Sequence, residues 1–261
     1  MRRNRIRQMW SEGKTAIGGW LSIPSSFSAE AMAQQGFDWL CVDMQHGIID
    51  YSDAVTMLQA ISTTDTVPIA RVPWNDPWQI MKVLDAGAYG VIVPLVNTRA
   101  DAEAAVAACR YPPLGIRSSG PTRAIIYAGR DYQEHANDEI LCICMIETRQ
   151  GLENLEEICS VPGLDMVYIG PADLSLALGL PPRADVEEQL HLDTVARIRE
   201  TAHRHGIRAG MHCAGEPFAA RKVQEGFDIV MLTSDVACLT RAAAEQLTGL
   251  RDRAAASAAP A

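Results

Sequence analysis

The sequence contains no long apolar segment. Its longest apolar run covers residues 89–96 and includes a proline, whereas a membrane-spanning helix needs roughly 20 apolar residues. No apolar stretch follows the basic N-terminus, so we expect no secretory signal. Of the 261 residues, 48% are hydrophobic and 21% are charged, which are ordinary values for a globular protein. We therefore expect a globular protein without a membrane partner.

Positive charge is also scarce. The chain has 23 basic and 32 acidic residues and a net charge of -9, so it is a poor candidate for binding nucleic acid. The exception is a basic N-terminal segment, residues 1–14, with four arginines among its first seven residues. An RNA-binding arm or a targeting signal would fit, but we interpret these arginines as a solvated first helix turn. The Ala-rich residues 252–261 are predicted to form a flexible tail.

The seven cysteines include no CxxC pair. Their odd number, and the position of several within apolar, strand-like runs, predict free thiols in a reduced, cytoplasmic protein. Cys142 and Cys144 would share one face of a strand, but a metal site there would need further ligands nearby.

No low-complexity linker divides the chain, and short apolar runs alternate with helical patterns. Apolar strands between helices predict a parallel sheet covered by helices, and eight such units suit an α/β fold of the (β/α)8 TIM-barrel type. A doubly wound sheet would need a GxGxxG or GxxxxGKS/T motif, and both are absent. We predict one domain over residues 1–261, with strands at 15–22, 39–44, 67–72, 89–95, 140–147, 166–170, 208–213 and 228–234.

Residues 111–138 interrupt this alternation. Their first half is rich in Pro, Gly and Ser, and we predict a long ordered loop, which in a compact domain is usually functional. Before it, a helix over 75–87 has Asn75 or Asp76 as its expected N-cap, and a helix over 98–110 has Thr98.

The active site of a TIM barrel lies at the C-terminal ends of its strands. Four predicted strands deliver polar groups or a Gly-Pro turn there. These residues are Asp43, Gln45 and His46 after the second strand, Arg71 at the third, Glu147 and Arg149 at the fifth, and Gly170, Pro171, Ala172 and Asp173 at the sixth.

Glu147 and Asp173 form the informative pair. Each ends an apolar strand, where an uncompensated carboxylate is costly, and carboxylates on adjacent strands repel unless a cation or proton separates them. Carboxylate oxygens and water suit Mg²⁺ or Mn²⁺. Simpler alternatives exist for each residue: a solvated rim acid or helix cap for the two carboxylates, a capping or buried histidine for His46, and a structural ion pair for Arg71. We favour a metal site because all four occur together.

Lysine is rare: the chain has three lysines, Lys14, Lys82 and Lys222, and 20 arginines. None lies at the C-terminal end of a predicted strand, whereas a Schiff-base enzyme needs a desolvated lysine in its site. Enolate chemistry in this barrel would therefore need a metal ion as the electron sink.

Six segments carry a family resemblance that covers most of residues 15–235. They are FDWLCVDMQHG (37–47), VPIARV (67–72), IMKVLDAGAYGVIVPLVNTRADAE (80–103), RYPPLGIRSSGP (110–121), MIETRQGLENLEEI (145–158) and GLDMVYIGPADLSLALG (163–179). Together they resemble the HpcH/HpaI aldolase–citrate lyase family, in particular its metal-dependent 2-oxo acid aldolases. The family fold is a TIM barrel, in agreement with the strand count.

The resemblance implies roles for individual residues. Glu147 and Asp173 would bind a divalent metal (Mg²⁺, Mn²⁺ or Co²⁺), with no organic cofactor. Arg71 would contact the 2-oxo oxygen and stabilise the enolate. His46 would be the catalytic base, and Asp85 would orient it and raise its basicity.

The resemblance also implies a substrate pocket. The turn of Gly170, Pro171, Ala172 and Asp173 would hold the substrate carboxylate, since helix N-terminal amides favour anions. Gln45 and Met145 depart from many pyruvate aldolases of the family, which have Glu and Gln at these positions. The VDMQH and MIET versions resemble members that accept hydroxypyruvate as well as pyruvate.

The activity implied is a lyase reaction, in which the enolate of pyruvate or hydroxypyruvate adds to an aldehyde and 4-hydroxy-2-oxo acids are cleaved in reverse. Alternatives are an acyl-CoA ester lyase of the same superfamily, an oxaloacetate-type decarboxylase, and a non-catalytic metabolite-binding barrel. Arg117 and Arg123 of the long loop would bind an acidic acceptor or a neighbouring subunit, or would simply be solvated. Family members are typically hexamers with an exchanged C-terminal helix, so we expect a homohexamer.

Overall fold

The computed structural model describes residues 1–183 and 185–258 and shows a closed barrel. Within these residues, eight parallel strands pair in chain order, and β1 closes the barrel against β8. The prediction of a single-domain TIM barrel is thus confirmed in its fold. The strands are β1 Ala16–Leu21, β2 Trp39–Asp43, β3 Val67–Arg71, β4 Gly90–Val93, β5 Leu141–Met145, β6 Met166–Ile169, β7 Arg208–His212 and β8 Ile229–Ser234.

The described residues also form thirteen helices, most of which cover the outside of the barrel. Strands β2 to β6 are buried along their whole length, because helices cover one face and the barrel interior the other. The helices are α1 Arg5–Ser11, α2 Ser26–Ala33, α3 Tyr51–Ile61, α4 Pro77–Asp85, α5 Arg99–Cys109, α6 Thr122–Ala128, α7 Tyr132–Glu139, α8 Arg149–Glu153, α9 Leu155–Cys159, α10 Pro171–Ala177, α11 Gln189–Arg204, α12 Glu216–Gln224 and α13 Asp235–Ala258.

The local helix signals are mostly confirmed. Thr98 caps α5 and forms a capping box with Asp101, which satisfies two backbone donors of the first turn. Asp76, not Asn75, is the N-cap of α4, and Pro77 follows it in the first turn. Gly87, with a φ of 101°, lies just beyond the end of α4, as the stop signal predicts.

The prediction of one long loop over residues 111–138 is wrong in its second half. The loop ends at Pro121, and helices α6 and α7 follow. The run Thr122–Ala128 contains neither Gly nor Pro, so nothing in it prevents a helix, and Gly129 at a φ of 114° separates the two helices. The Pro- and Gly-rich composition describes only residues 112–121.

The prediction of a solvated first helix turn is only partly confirmed. Arg5 does begin α1, and the Arg3 and Arg5 side chains are 79% and 48% exposed, but the four arginines are not simply solvated. Each is in an ion pair with an acidic residue around the N-terminal ends of the strands: Arg2 with Asp65, Arg3 with Glu139, Arg5 with Asp38, and Arg7 with Asp165. The acidic chain supplies these partners at the end of the barrel opposite the strand C-termini. The arginines therefore attach the N-terminal segment to the barrel.

The last features of the fold are the C-terminal helix, the cysteines and the hydropathy of the helices. Helix α13 continues to Ala258, and residues 259–261 of the predicted tail lie outside the described residues. The cysteines of the described chain are free thiols, and all but Cys238 are buried. None of the helices in the described part of the chain has the length and hydropathy that crossing a bilayer requires.

Candidate active site

Arg71 and Asp43 form a buried ion pair at the C-terminal mouth of the barrel. They end β3 and β2 and lie opposite each other in the register of these strands. Arg71 donates from Nε to Oδ1 of Asp43 at 2.8 Å and from Nη2 to Oδ2 at 2.6 Å. Burial raises the pKa of Asp43, but the hydrogen bonds and the charge of Arg71 outweigh it and hold this pKa below its ordinary value. The guanidinium is therefore fixed in position by a charged partner.

Aromatic side chains line the mouth beside this pair. The Trp20 indole donates to Asp43 Oδ2 at 3.0 Å, and the Arg71 guanidinium lies 4.8 Å from the indole ring centre. The Tyr168 ring is stacked on the Trp20 indole. The His212 ring meets the same indole edge-on, with 5.0 Å between the ring centres. Burial and the nearby Arg71 charge lower the pKa of His212 to about 4. Its ring is neutral at physiological pH.

Asp43 also organises the turn that carries His46. Its Oδ1 accepts the backbone amides of Gln45 and His46 at 3.1 and 3.2 Å. His46 is exposed, and in the described part of the chain its ring forms no hydrogen bond, so it is neither a buried histidine nor a capping residue. The Oε1 of Gln45 is buried without a hydrogen-bond partner.

Glu147 follows β5 and is only 3% exposed. Its Oε1 accepts the amide of Leu95 at 2.9 Å. Its pKa is raised to about 7, mainly by burial and in smaller part by the neighbouring Asp173 carboxylate, while the hydrogen bond from the Leu95 amide acts to lower it. The charge of Arg71 also acts to lower this pKa. Asp173 and Arg71 therefore each lie within electrostatic range of Glu147.

The segment from Gly170 to Asp173 forms the start of α10. Gly170 is the N-cap, Pro171 begins the helix, and Asp173 lies exposed in the first turn. The first amides of a helix have no intrahelical partner, so this turn can accept an anion. From behind, the fully buried His191 contacts the Pro171 carbonyl oxygen at 3.3 Å.

The Glu147 and Asp173 pair fits a divalent cation. A buried carboxylate whose charge is opposed by a second carboxylate would gain from a bound cation, and carboxylate oxygens are ligands that hard divalent cations prefer. Among the described residues, no group of three or more His, Cys, Asp or Glu side chains could hold a metal, which includes the surroundings of Cys142 and Cys144. Water and substrate would supply the remaining ligands.

Asp85 does not join this group in the chain. Its Oδ1 accepts from Arg117 at 2.8 Å, and in the described residues no hydrogen bond links it to His46. Met145, at the end of β5, does lie beside the turn, because its methyl carbon would be 3.0 Å from a Cβ at Gly170. Arg149, by contrast, is exposed and donates to the carbonyl oxygen of Ala177.

The two loop arginines are used within the chain. Arg117 is buried, donates to Asp85 and Tyr132, and lies over the Tyr111 ring. Arg123 donates to the carbonyl oxygens of Ala86 and Leu58 and to Ser62. Neither is simply solvated, because Arg117 meets a carboxylate and a phenol and Arg123 meets carbonyl and hydroxyl oxygens of neighbouring helices. The lysines agree with expectation, since Lys14 precedes β1 and Lys82 and Lys222 lie in α4 and α12.

Three residues that shape the site, Asp43, Trp20 and Leu95, were given no role from the sequence. Asp43 was expected at the mouth, and an Asp and an Arg ending adjacent strands could have indicated the pair. Trp20 and Leu95 carried no signal, because neither an indole that donates to Asp43 nor a loop amide that donates to Glu147 has a sequence pattern of its own.

The fold and the site together define a class of protein. Eight parallel strands place an ion-paired arginine, an exposed histidine and two carboxylates at one mouth, which is the arrangement of a TIM-barrel enzyme. The family model for HpcH/HpaI aldolase/citrate lyase matches residues 16–242. The chain belongs to this family.

Several proteins are similar to this chain over nearly its whole length. A hydroxypyruvate/pyruvate aldolase of Rhizorhabdus wittichii is 44% identical over 248 residues, which cover 95% of this chain and 99% of that protein. A 4-hydroxy-2-oxo-heptane-1,7-dioate aldolase of Escherichia coli is 38% identical, with 92% of each chain covered. The crystal structure of a family protein from Burkholderia cenocepacia superimposes with a TM-score of 0.86 at 33% identity, covering 95% of this chain and 99% of that one.

Proposed function

We propose that the protein is a metal-dependent (class II) aldolase that adds the enolate of pyruvate or hydroxypyruvate to an aldehyde and cleaves 4-hydroxy-2-oxo acids in reverse. The position of an ion-paired Arg71 at the end of β3 and of the buried Glu147 just after β5, both at the C-terminal mouth of the barrel, carries this proposal. The relatives named as aldolases at 44% and 38% identity support it.

Glu147 and Asp173 are the proposed metal ligands, and Mg²⁺, Mn²⁺ and Co²⁺ are the candidate ions. When bound, such an ion supplies a Lewis acid that polarises the 2-oxo group of the substrate. No lysine of the described chain lies at the mouth, so the chain offers no Schiff base in its place.

Backbone amides and side chains at the mouth have separate proposed roles in binding and catalysis. The Gly170, Pro171, Ala172 and Asp173 turn binds the substrate carboxylate through helix N-terminal amides. Arg71, fixed by Asp43, donates hydrogen bonds to the 2-oxo oxygen and stabilises the negative charge that develops there. His46 takes the C3 proton, and its exposed ring leaves it accessible to a substrate above the strand ends.

Gln45 and Met145 are proposed to contact the donor substrate. The unpartnered Oε1 of Gln45 can accept a hydrogen bond from a donor hydroxyl, and Met145 gives an apolar wall beside Gly170. Asp85 is proposed as the partner of His46, but it would have to leave Arg117 or be supplied by another copy of the chain.

We also propose that the protein is a homohexamer in the cytoplasm. Helix α13 exposes Leu239, Leu247 and Leu250, which suits burial against other copies in a homohexamer. The buried free thiols suit a reducing cytoplasm. Sedimentation analysis would show one species of about six chain masses, whereas a monomer would contradict the hexamer.

Product formation tests the proposed activity. Metal-stripped protein is incubated with glycolaldehyde and either pyruvate or hydroxypyruvate, with EDTA or with each of Mg²⁺, Mn²⁺ and Co²⁺, and products are followed by NMR. We expect a 4-hydroxy-2-oxo acid only with metal, and none from Glu147→Ala. Rapid decarboxylation of oxaloacetate without any aldol product would favour the decarboxylase alternative.

A further inference from the structure

Among the described residues, the Glu147 carboxylate is hydrogen-bonded by the backbone and not by a side chain. Its Oε1 accepts the Leu95 amide at 2.9 Å. Its Oε2 lies over Gly170, where an added Cβ would be only 2.5 Å away. Among the hydrogen bonds of the described residues, none runs from a side chain to this carboxylate. Its position therefore depends on the backbone at two points.

Leu95, the residue whose amide binds Glu147 Oε1, has an unusual backbone conformation. Leu95 has a φ of 54°, and among the residues that the structure describes it is the only one other than glycine with positive φ. A leucine is disfavoured in this left-handed region, because its Cβ crowds the following carbonyl. Strained residues of this kind cluster at functional sites, and here the strained residue is the one whose amide binds Glu147.

The position of Gly170, beside Glu147 Oε2, needs a residue without a side chain. Gly170 has an ordinary φ of -90°, so its conformation does not require glycine. The lack of space around it does require glycine, because a Cβ at this position would also lie 3.0 Å from the Met145 methyl carbon. The neighbour that an alanine would displace most is Glu147 Oε2.

We infer that Leu95 and Gly170 are positioning residues for Glu147, one presenting an amide to Oε1 and the other leaving room for Oε2. The inference rests on the proposed function, in which Glu147 is a metal ligand. Groups that orient a ligand typically change metal affinity by about 10- to 100-fold when they are altered. Both residues act in this way through Glu147.

A packing role for the Leu95 side chain predicts the opposite order of variants. If packing matters, Leu95→Val is the mildest change, and Leu95→Gly and Leu95→Asn are severe. If the left-handed conformation matters, valine is the worst choice, because β-branched residues resist positive φ. Glycine and asparagine tolerate that conformation and should preserve the amide.

Mn²⁺ binding to metal-stripped protein, measured by EPR, separates the two roles. We expect Leu95→Val to weaken binding about tenfold, and Leu95→Gly and Leu95→Asn to stay within about threefold of wild type. The half-buried Leu232 in β8 supplies the matched control, Leu232→Val, which should bind Mn²⁺ as wild type does. Wild-type binding by Leu95→Val, or equal losses in Leu95→Val and Leu95→Gly, would overturn the inference.

Gly170 has a matched control in Gly215. Each is the N-cap of a helix that has a proline at its first positions, but a Cβ at Gly215 would meet nothing closer than 3.9 Å. We expect Gly170→Ala to weaken Mn²⁺ binding at least about tenfold and Gly215→Ala to leave it unchanged. Thermal unfolding of each metal-free variant checks that it is folded. Unchanged binding by a folded Gly170→Ala protein would remove Gly170 from the proposal.

The same measurements separate this inference from the proposed function. Wild-type protein that binds no Mn²⁺, and makes no aldol product with any metal, overturns both. Wild-type protein that binds Mn²⁺ and makes product, alongside a Leu95→Val protein with the same affinity, overturns only the positioning role.

Discussion

At the scale of single residues, Asp43 links the parts of the mouth that come from different strands. Its carboxylate accepts two hydrogen bonds from Arg71, one from Trp20, and the amides of Gln45 and His46. It touches both the proposed oxyanion-binding residue and the loop of the proposed base. A change at Asp43 should therefore affect stability and activity together.

Asp43→Asn tests this role. The amide keeps the shape but leaves the buried Arg71 without its counter-charge, which typically costs about 3 kcal/mol of unfolding free energy. A displaced guanidinium should also lower kcat/KM about 100-fold. Urea unfolding and steady-state kinetics measure the two effects. Asp65→Asn, at a position whose side chain is 87% exposed, is the control, and a stable, fully active Asp43→Asn protein would contradict the account.

His212 predicts a pH dependence of stability. Its pKa is lowered from 6.5 to about 4 by burial and the Arg71 charge, so the folded state binds this proton less readily than the unfolded chain. The contribution of a neutral His212 is complete above pH 6.5 and is lost as the pH falls towards 4. His212→Asn should therefore lose less stability than wild type over this interval. Parallel pH dependences of the two melting temperatures would refute the prediction.

At the scale of elements, the N-terminal segment behaves as part of the barrel. The buried Asn4 donates to the carbonyl oxygens of Tyr89 and Glu139, and its Oδ1 accepts the amide of Ile6 as the cap of α1. Its backbone amide donates to the Glu139 carboxylate. The segment thus satisfies acceptors at the N-terminal ends of the strands.

Asn4→Ala should cost about 2 kcal/mol of unfolding free energy, because it leaves buried acceptors without donors. Arg3→Ala, which breaks an ion pair whose arginine side chain is 79% exposed, should cost less than about 1 kcal/mol. Both proteins should keep wild-type aldol kinetics, since the change lies at the end opposite the mouth. Equal destabilisation by the two substitutions, in denaturant unfolding, would argue against this ranking.

Some of the helices and ion pairs could be predicted from the sequence, and others could not. Helix α5 was predicted with Thr98 as its N-cap, because an N-cap is a local interaction between residues close in sequence, and the structure adds Asp101 as the second member of a capping box. Helices α6 and α7 were not, since the neighbouring Pro and Gly residues dominated the composition of the segment. The partners of the N-terminal arginines lie between 33 and 158 residues away, and no local pattern reveals such distant contacts.

At the scale of the whole molecule, barrel closure brings the site together. The alternation of strands and helices was sufficient to predict the eight-stranded barrel, and with it the mouth where Arg71, Glu147 and Asp173 converge. Fine geometry was not predictable: Asp85 binds Arg117 and not His46, and Leu95 enters the site through a backbone conformation. Such details depend on how strands and loops from distant parts of the chain pack.

Exchange of the C3 protons of pyruvate and hydroxypyruvate in D₂O, followed by NMR, tests the central claim most directly. It reports enolate formation without an acceptor aldehyde, in EDTA and then with Mg²⁺, Mn²⁺ or Co²⁺. We predict exchange that needs a metal ion and is lost in Glu147→Ala and in His46→Ala, and the faster substrate identifies the preferred donor. An absence of exchange with every metal, or equal exchange in Glu147→Ala, would contradict a metal-dependent enolate site in this barrel.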